Sequence, residues 1–233
     1  MKDIDTVFFD FDGTLVFHKP DSFDVISAFC AEIGQPLDDE GERRGRRTRY
    51  EYFVDPLLRE HLSDLSPGEF WHHFNRHLLK AIGVEGDLDR LAQEVTTQFT
   101  DVELVYYSPD AGLETVTALR ERGYRLGLIT NRENVEWFHH LLDQVGLWPY
   151  FDLTLASGEV GISKPKPGIF SFALERVGAA AARSVYVGDN YWADVIGAQN
   201  AGLTPILFDP HHLFPEAECL VLERIESLLA WLA

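Results

Sequence analysis

Cysteine is nearly absent: Cys30 and Cys219 are the only two in 233 residues. Two thiols cannot build a disulfide framework, which fits a reducing compartment. Long apolar runs are missing as well, and none approaches the length a membrane helix needs. The opening Met1-Lys2-Asp3-Ile4-Asp5 carries no apolar stretch of the secretory kind, so the expectation is a cytoplasmic protein without a membrane partner. Positive charge is scarce. Lysine and arginine number 20 against 38 acidic residues, a net charge of −18, and such a field repels nucleic acid and anionic lipid surfaces. Residues 17–105 hold 18 acidic and 10 basic residues and the rest of the chain 20 and 10, so no basic lobe hides in the average. Repeats, low-complexity tracts and long linkers are also lacking. What remains is 45% hydrophobic and 25% charged, the composition of a folded chain long enough to bury a core.

The pattern of apolar residues divides the chain in three. A first strand is predicted over Ile4 to Phe9. From about Asp21 to Val105 the spacing is helical, as in Phe23, Ile26, Phe29, Cys30 and Ile33, then Phe70, Trp71, Phe74, Leu78 and Leu79, then Leu88, Leu91, Val95 and Phe99. From Tyr106 onward strands and helices alternate. Helices are expected over Pro109–Arg122, Glu133–Val145, Pro167–Val177 and Ala193–Asn200, with a final amphipathic helix over Leu222–Leu232. Strands are expected over Arg125–Ile129, Leu153–Ala156, Ser184–Val187 and Pro205–Phe208. This alternation implies an α/β fold, a parallel sheet covered on both faces, with a helical module inserted after the first strand.

The polar residues that end these strands carry the chemistry. Asp10 and Asp12 follow the first strand in Asp10-Phe11-Asp12-Gly13-Thr14; residues two apart on a strand point the same way. Thr130 and Asn131 follow the second, and Asp189 follows Val185-Tyr186-Val187-Gly188. In open parallel sheets ligands bind beyond the carboxyl ends of the strands, so these groups are expected to converge. Lys164 sits in Gly161-Ile162-Ser163-Lys164-Pro165-Lys166-Pro167, just before a helix. Clustered carboxylates are costly without a cation and suit a hard metal such as Mg²⁺; a hydroxyl and an ammonium suit phosphoryl oxygens.

These segments, in this order, resemble the four motifs of the haloacid dehalogenase-like hydrolase superfamily. They are Asp10-Phe11-Asp12-Gly13-Thr14, Thr130-Asn131, Lys164 in Ser-Lys-Pro-Lys-Pro, and Gly188-Asp189-Asn190 followed by Asp194. The resemblance implies a Rossmann-like core, residues 1–16 and 106–233, carrying an all-helical cap domain at 17–105. It implies that Asp10 is the nucleophile, forming an aspartyl-phosphate, and that Asp12 is the acid and base. Thr130, Asn131 and Lys164 would hold the phosphate. Asp10, Asp12 (through its carbonyl) and Asp189 would bind Mg²⁺, with Mn²⁺ an alternative, and Asp194 would be a further ligand or stand behind the others. Asp12 separates branches of the family: its dehalogenases and phosphonate-cleaving members lack an acid there. The expectation is therefore a phosphatase acting on a small phosphorylated metabolite. A sugar-phosphate phosphomutase, or a non-catalytic binding protein of the same fold, is the alternative.

Other features have simpler readings. Arg43, Arg44, Arg46, Arg47 and Arg49 form the one dense basic run, but Asp39, Glu40 and Glu42 stand four residues before Arg43, Arg44 and Arg46, so a paired helix surface is expected. Arg132 could reach a substrate or simply begin a helix. His72, His73 and His77 are read as surface and packing, and the aromatic residues around them as core.

Overall fold

A computed structural model describes residues 3–54 and 65–233; residues 55–64 of the predicted helical insert lie outside them. The chain divides into two compact units, Met1–Phe17 with Tyr106–Ala233, and His18–Val105. It passes between them twice, through β2 (Phe17–Lys19) and β3 (Val105–Tyr107), and these two short strands pair as a two-stranded sheet.

The larger unit is built on β1 (Thr6–Phe9), β4 (Arg125–Thr130), β5 (Leu153–Ala156), β6 (Ser184–Gly188), β7 (Thr204–Phe208) and β8 (Leu220–Leu222), a parallel sheet in the order β5-β4-β1-β6-β7-β8. β1 lies at its centre, Phe8 opposite Gly127 on one side and Tyr186 on the other. Every residue of β1 is buried, because helices cover both faces. Val7 and Phe9 point into a core with Val116, Leu119, Phe138 and Leu141. Phe8, one residue out of step, points into the opposite core with Ile169, Phe170 and Ala173. This is the period-two alternation of a strand buried on both sides. Gly127 is required beneath Phe8, since a β-carbon there would sit 2.4 Å from the ring.

The helices of this unit are α5 (Asp110–Glu121), α6 (Val135–Gln144), α7 (Ser157–Val160), α8 (Pro167–Val177), α9 (Gly197–Asn200) and α10 (Leu228–Trp231). The smaller unit holds α1 (Ser22–Glu32), α2 (Asp39–Val54), α3 (Pro67–Ala81) and α4 (Leu88–Asp101) around Phe23, Phe29, Tyr52, Leu79 and Val95. Its helix starts are capped as the sequence dictates: Asp21 with Asp24, and Ser66 with Glu69, form reciprocal capping boxes.

Some expectations require correction. The predicted terminal helix over Leu222–Leu232 is instead the end of β8, a 3₁₀ turn at Ile225–Ser227 and the single turn of α10. Leu222, Ile225 and Leu228 are all buried, and their spacing of three mimics a helix; pairing of Leu222 with Phe208 in the sheet decides otherwise. The helix predicted from Ala193 starts at Tyr191, and its first six residues are π-helical. In α3, Trp71 is 46% exposed, although it shares the apolar stripe whose Phe74, Leu78 and Leu79 are buried.

Candidate active site

β1, β4 and β6 are neighbours running the same way, so their carboxyl ends form one edge. Asp10 extends the ladder of β1 by one rung, its amide donating to the Val187 carbonyl at 2.8 Å. Thr130 closes β4, and Asp189 follows Gly188 at the end of β6; all three are buried. Lys164 enters from the loop before α8 and is also buried.

The ammonium of Lys164 organises the site. Its Nζ lies 2.7 Å from Asp10 Oδ1, 2.7 Å from Asp194 Oδ1 and 2.8 Å from the Tyr186 hydroxyl, three oxygens for its three N–H donors. Tyr186 in turn donates to the Ile129 carbonyl at 3.0 Å. Burial works against the charge on Lys164, but Asp10 and Asp194 outweigh it and push its pKa up to about 12. Burial, with Asp194 and Asp10 next, pushes the Tyr186 phenol well above its ordinary value, so it stays a neutral hydroxyl. Burial also raises Asp10 well above the usual carboxylate range: Lys164 pulls the other way, but Asp194 and Asp189 add like charge. One ammonium among three carboxylates leaves negative charge in excess.

The carboxylates themselves are held differently. On Asp10, Oδ1 also accepts the Phe11 amide at 2.7 Å; among the described residues no hydrogen bond reaches Oδ2. Both oxygens of Asp194 are engaged, Oδ1 by Lys164 and Oδ2 by the Asn190 amide at 2.9 Å. The π turn makes this possible. Asn190 caps it, its side-chain oxygen accepting from the amides of Trp192 and Ala193 at 3.1 and 3.0 Å. Asp189 Oδ1 accepts the Thr14 hydroxyl at 3.2 Å. Gly13, at φ +77°, must be glycine twice over: the backbone is left-handed, and a β-carbon would sit 2.2 Å from Asp189 Oδ2. One oxygen each from Asp10, Asp189 and Asp194 lie within 4.8 Å of one another, and among the described residues this is the one cluster of its kind. The histidines of α3 do not form another: His73 is hydrogen-bonded to the Tyr52 hydroxyl at 2.8 Å, and His72 faces Asp89.

Asn131 and Asp12 have partners that sequence did not foresee. The Asn131 amide closes a two-way clasp on the backbone of Lys164, donating to its carbonyl at 2.9 Å and accepting its N–H at 2.7 Å. Its side chain thus ties the lysine loop to the end of β4. Asp12 is met by Arg132 through both oxygens, at 2.9 and 2.6 Å. Tyr186 and Thr14 were missed altogether. A tyrosine inside an otherwise apolar buried strand was the available signal, because a buried hydroxyl must find a partner. In the arginine run, Arg46 pairs with Glu42, as the spacing predicts, and with Asp21, whereas Arg43 pairs with Glu40 three residues before it and Arg47 with Glu51 four residues after it.

Parallel sheet, inserted helical module and an edge carrying Asp10, Lys164 and Asp189 agree with a match to the haloacid dehalogenase-like hydrolase family over residues 4–202. The chain belongs to that family and is a hydrolase. Among its relatives, a glyceraldehyde 3-phosphate phosphatase of Methanothermobacter thermautotrophicus is 32% identical over 206 residues, 86% of this chain and 84% of that one. A ribulose-1,5-bisphosphate 5-phosphatase of Halopiger xanaduensis is 30% identical over 88% of this chain and 84% of its own. Among solved structures, the magnesium-bound HAD-hydrolase YfnB of Bacillus subtilis aligns over 99% of each chain with a TM-score of 0.63 at 22% identity, a likeness of fold.

Proposed function

We propose that the protein is a Mg²⁺-dependent phosphatase that hydrolyses a small phosphorylated metabolite through an aspartyl-phosphate on Asp10. The observation that carries this is the buried set of three carboxylates, two of them paired with the ammonium of Lys164, at the carboxyl edge of the sheet, in a chain of this hydrolase family. The relatives named above support the substrate class: both are named for phosphate esters of small sugars.

The donor set fits a hard cation, which takes oxygen ligands and only one or two carboxylates alongside water and phosphate. Asp10 and Asp189 would hold it, with the Asp12 carbonyl; Asp194, whose oxygens are both engaged, would stand behind them. Mg²⁺ supplies charge for the phosphoryl oxygens, and Mn²⁺ takes the same donors. In the first displacement an Asp10 oxygen bonds to phosphorus, the ester P–O bond breaks, and the leaving oxygen takes a proton from the Asp12 carboxyl. In the second, the Asp12 carboxylate takes a proton from water as the water oxygen bonds to phosphorus and the Asp10–phosphorus bond breaks, releasing inorganic phosphate. Thr130 offers a hydroxyl to the phosphoryl group. Lys164 balances the charge of Asp10; a direct bond to phosphate requires it to release one of its three oxygens.

Phosphate release from a panel of phosphorylated metabolites, with Mg²⁺ and with Asp10→Asn in parallel, tests this. Wild type is expected to hydrolyse at least one sugar phosphate, and Asp10→Asn to lose at least about 10³-fold, as removal of a covalent nucleophile does. Activity retained by Asp10→Asn would reject the mechanism. Interconversion of sugar phosphates faster than phosphate release would make the enzyme a mutase.

A further inference from the structure

The segment Thr130-Asn131-Arg132 leaves the end of β4 and ties down two separate parts of the site. Asn131 clasps the backbone of Lys164; the next residue reaches back to the first motif. Arg132 Nε donates to Asp12 Oδ2 at 2.9 Å and its Nη2 to Asp12 Oδ1 at 2.6 Å. This is the paired geometry that a planar guanidinium and a carboxylate adopt. The fork is itself held in place. Its guanidinium lies 5.6 Å from the centre of the Phe11 ring and 5.5 Å from that of Tyr106, within cation–π range. Phe11 is fixed in turn, edge-on to Phe138 at 5.2 Å. The Arg132 carbonyl accepts from the Gly158 amide at 3.1 Å and the Ser157 hydroxyl at 3.2 Å. The arginine side chain is only 20% exposed, whereas that of Asp12 is 43% exposed.

We propose that Arg132 is a positioning residue for Asp12. This rests on Asp12 acting as the acid and base, as given under Proposed function. A carboxylate so exposed, on the turn after a strand, has several rotamers open to it. Proton transfer needs it within hydrogen-bond reach of one particular oxygen. Two parallel bonds from a preorganised fork take one lone pair of each carboxylate oxygen and fix both at once, so the proton that Asp12 delivers sits on a remaining lone pair outside the fork. A lysine in the same place would supply the charge but fix only one. No contact between Arg132 and the substrate is needed for this role.

The test compares glycerol phosphate, whose alkoxide needs a proton to leave, with p-nitrophenyl phosphate, whose phenolate does not. The kcat/KM ratio reports only steps up to departure of the leaving group, so water activation does not enter. Arg132→Met is expected to lower kcat/KM on the alkyl ester by about 10²-fold and on the aryl ester by about tenfold less, the range of general acid catalysis; Arg132→Lys recovers only part of the loss. Equal losses on the two esters, or no loss, overturn the proposal. A crystal structure of Arg132→Met gives a readout free of turnover. Asp12 is expected to leave its wild-type rotamer, and an Asp12 unmoved in the variant overturns the proposal whatever the rates. If wild type hydrolyses neither ester, the metabolite panel decides the phosphatase reading, and the crystallographic result alone decides the role of Arg132.

Discussion

Tyr186 shows how a residue with no reacting atom shapes a site. Its ring packs edge-on to Phe170 at 5.0 Å, and its hydroxyl joins the Lys164 ammonium to the Ile129 carbonyl. Tyr186→Phe keeps the ring and deletes one oxygen. The buried carbonyl and the third lysine donor then lack a partner, which costs about 1–3 kcal/mol of stability. Urea unfolding is expected to show that loss, and steady-state kinetics a lower kcat with KM little changed. A variant as stable and as active as wild type would show that two carboxylates suffice to hold Lys164. Gly13 makes the complementary point. There the site depends on a side chain that is missing, because only glycine leaves room for the Asp189 carboxylate at that backbone angle.

Among the elements, the π-helical turn Tyr191–Ile196 does the most for the site, and it was the least visible in sequence. The sequence predicts an ordinary helix over Ala193–Asn200; the chain instead begins it two residues earlier with a π turn. The wider turn follows from Asn190, which caps two amides with its side chain while its carbonyl accepts from both Asp194 and Val195. Asn190→Ala is expected to cost about 1 kcal/mol, as loss of an N-cap does. The midpoint of urea denaturation measures this; no change would mean the turn is held by the Lys164–Asp194 pair alone. Strands proved easier to foresee. Val7 to Phe9, Leu126 to Ile129 and Val185 to Val187 are apolar runs flanked by polar or glycine residues, and each forms the strand expected. The carboxyl-edge residues were legible for the same reason: Asp10 and Asp189 end such runs. What sequence could not supply was pairing across the fold. Arg132 with Asp12, Asn131 with the Lys164 backbone, and Tyr186 with Lys164 each join residues at least 22 positions apart. Periodicity says nothing about such distances. The tail failed for a local reason, since Leu222, Ile225 and Leu228 satisfy a helical spacing while the first of them belongs to β8.

At the level of the whole molecule, the site gathers like charge that the proposed cation would offset. The folded chain raises the Asp10 pKa above its value of 3.8 in a free chain. The folded state therefore holds that proton more tightly. Its contribution to stability is complete below the unfolded value and is lost as pH rises through the raised one. Above that window the carboxylates repel, and a cation bound among them would relieve the repulsion. Mg²⁺ is therefore expected to raise the melting temperature more at pH 7.5 than at pH 4.5, measured against EDTA in a thermal shift series. An equal effect at both pH values would place the metal elsewhere. The pairing of β2 with β3 has a different consequence. Paired strands lie about 5 Å apart, so the insert leaves the larger unit and rejoins it at nearly one point. Lengthening a loop closed at such a point adds entropy cost only slowly. Asp10, Asp12, Lys164, Asp189 and Asp194 all lie within the larger unit. The segment between Lys19 and Val105 thus enters and leaves through one paired ribbon, the geometry in which an inserted fold adds least to the entropy cost of closure.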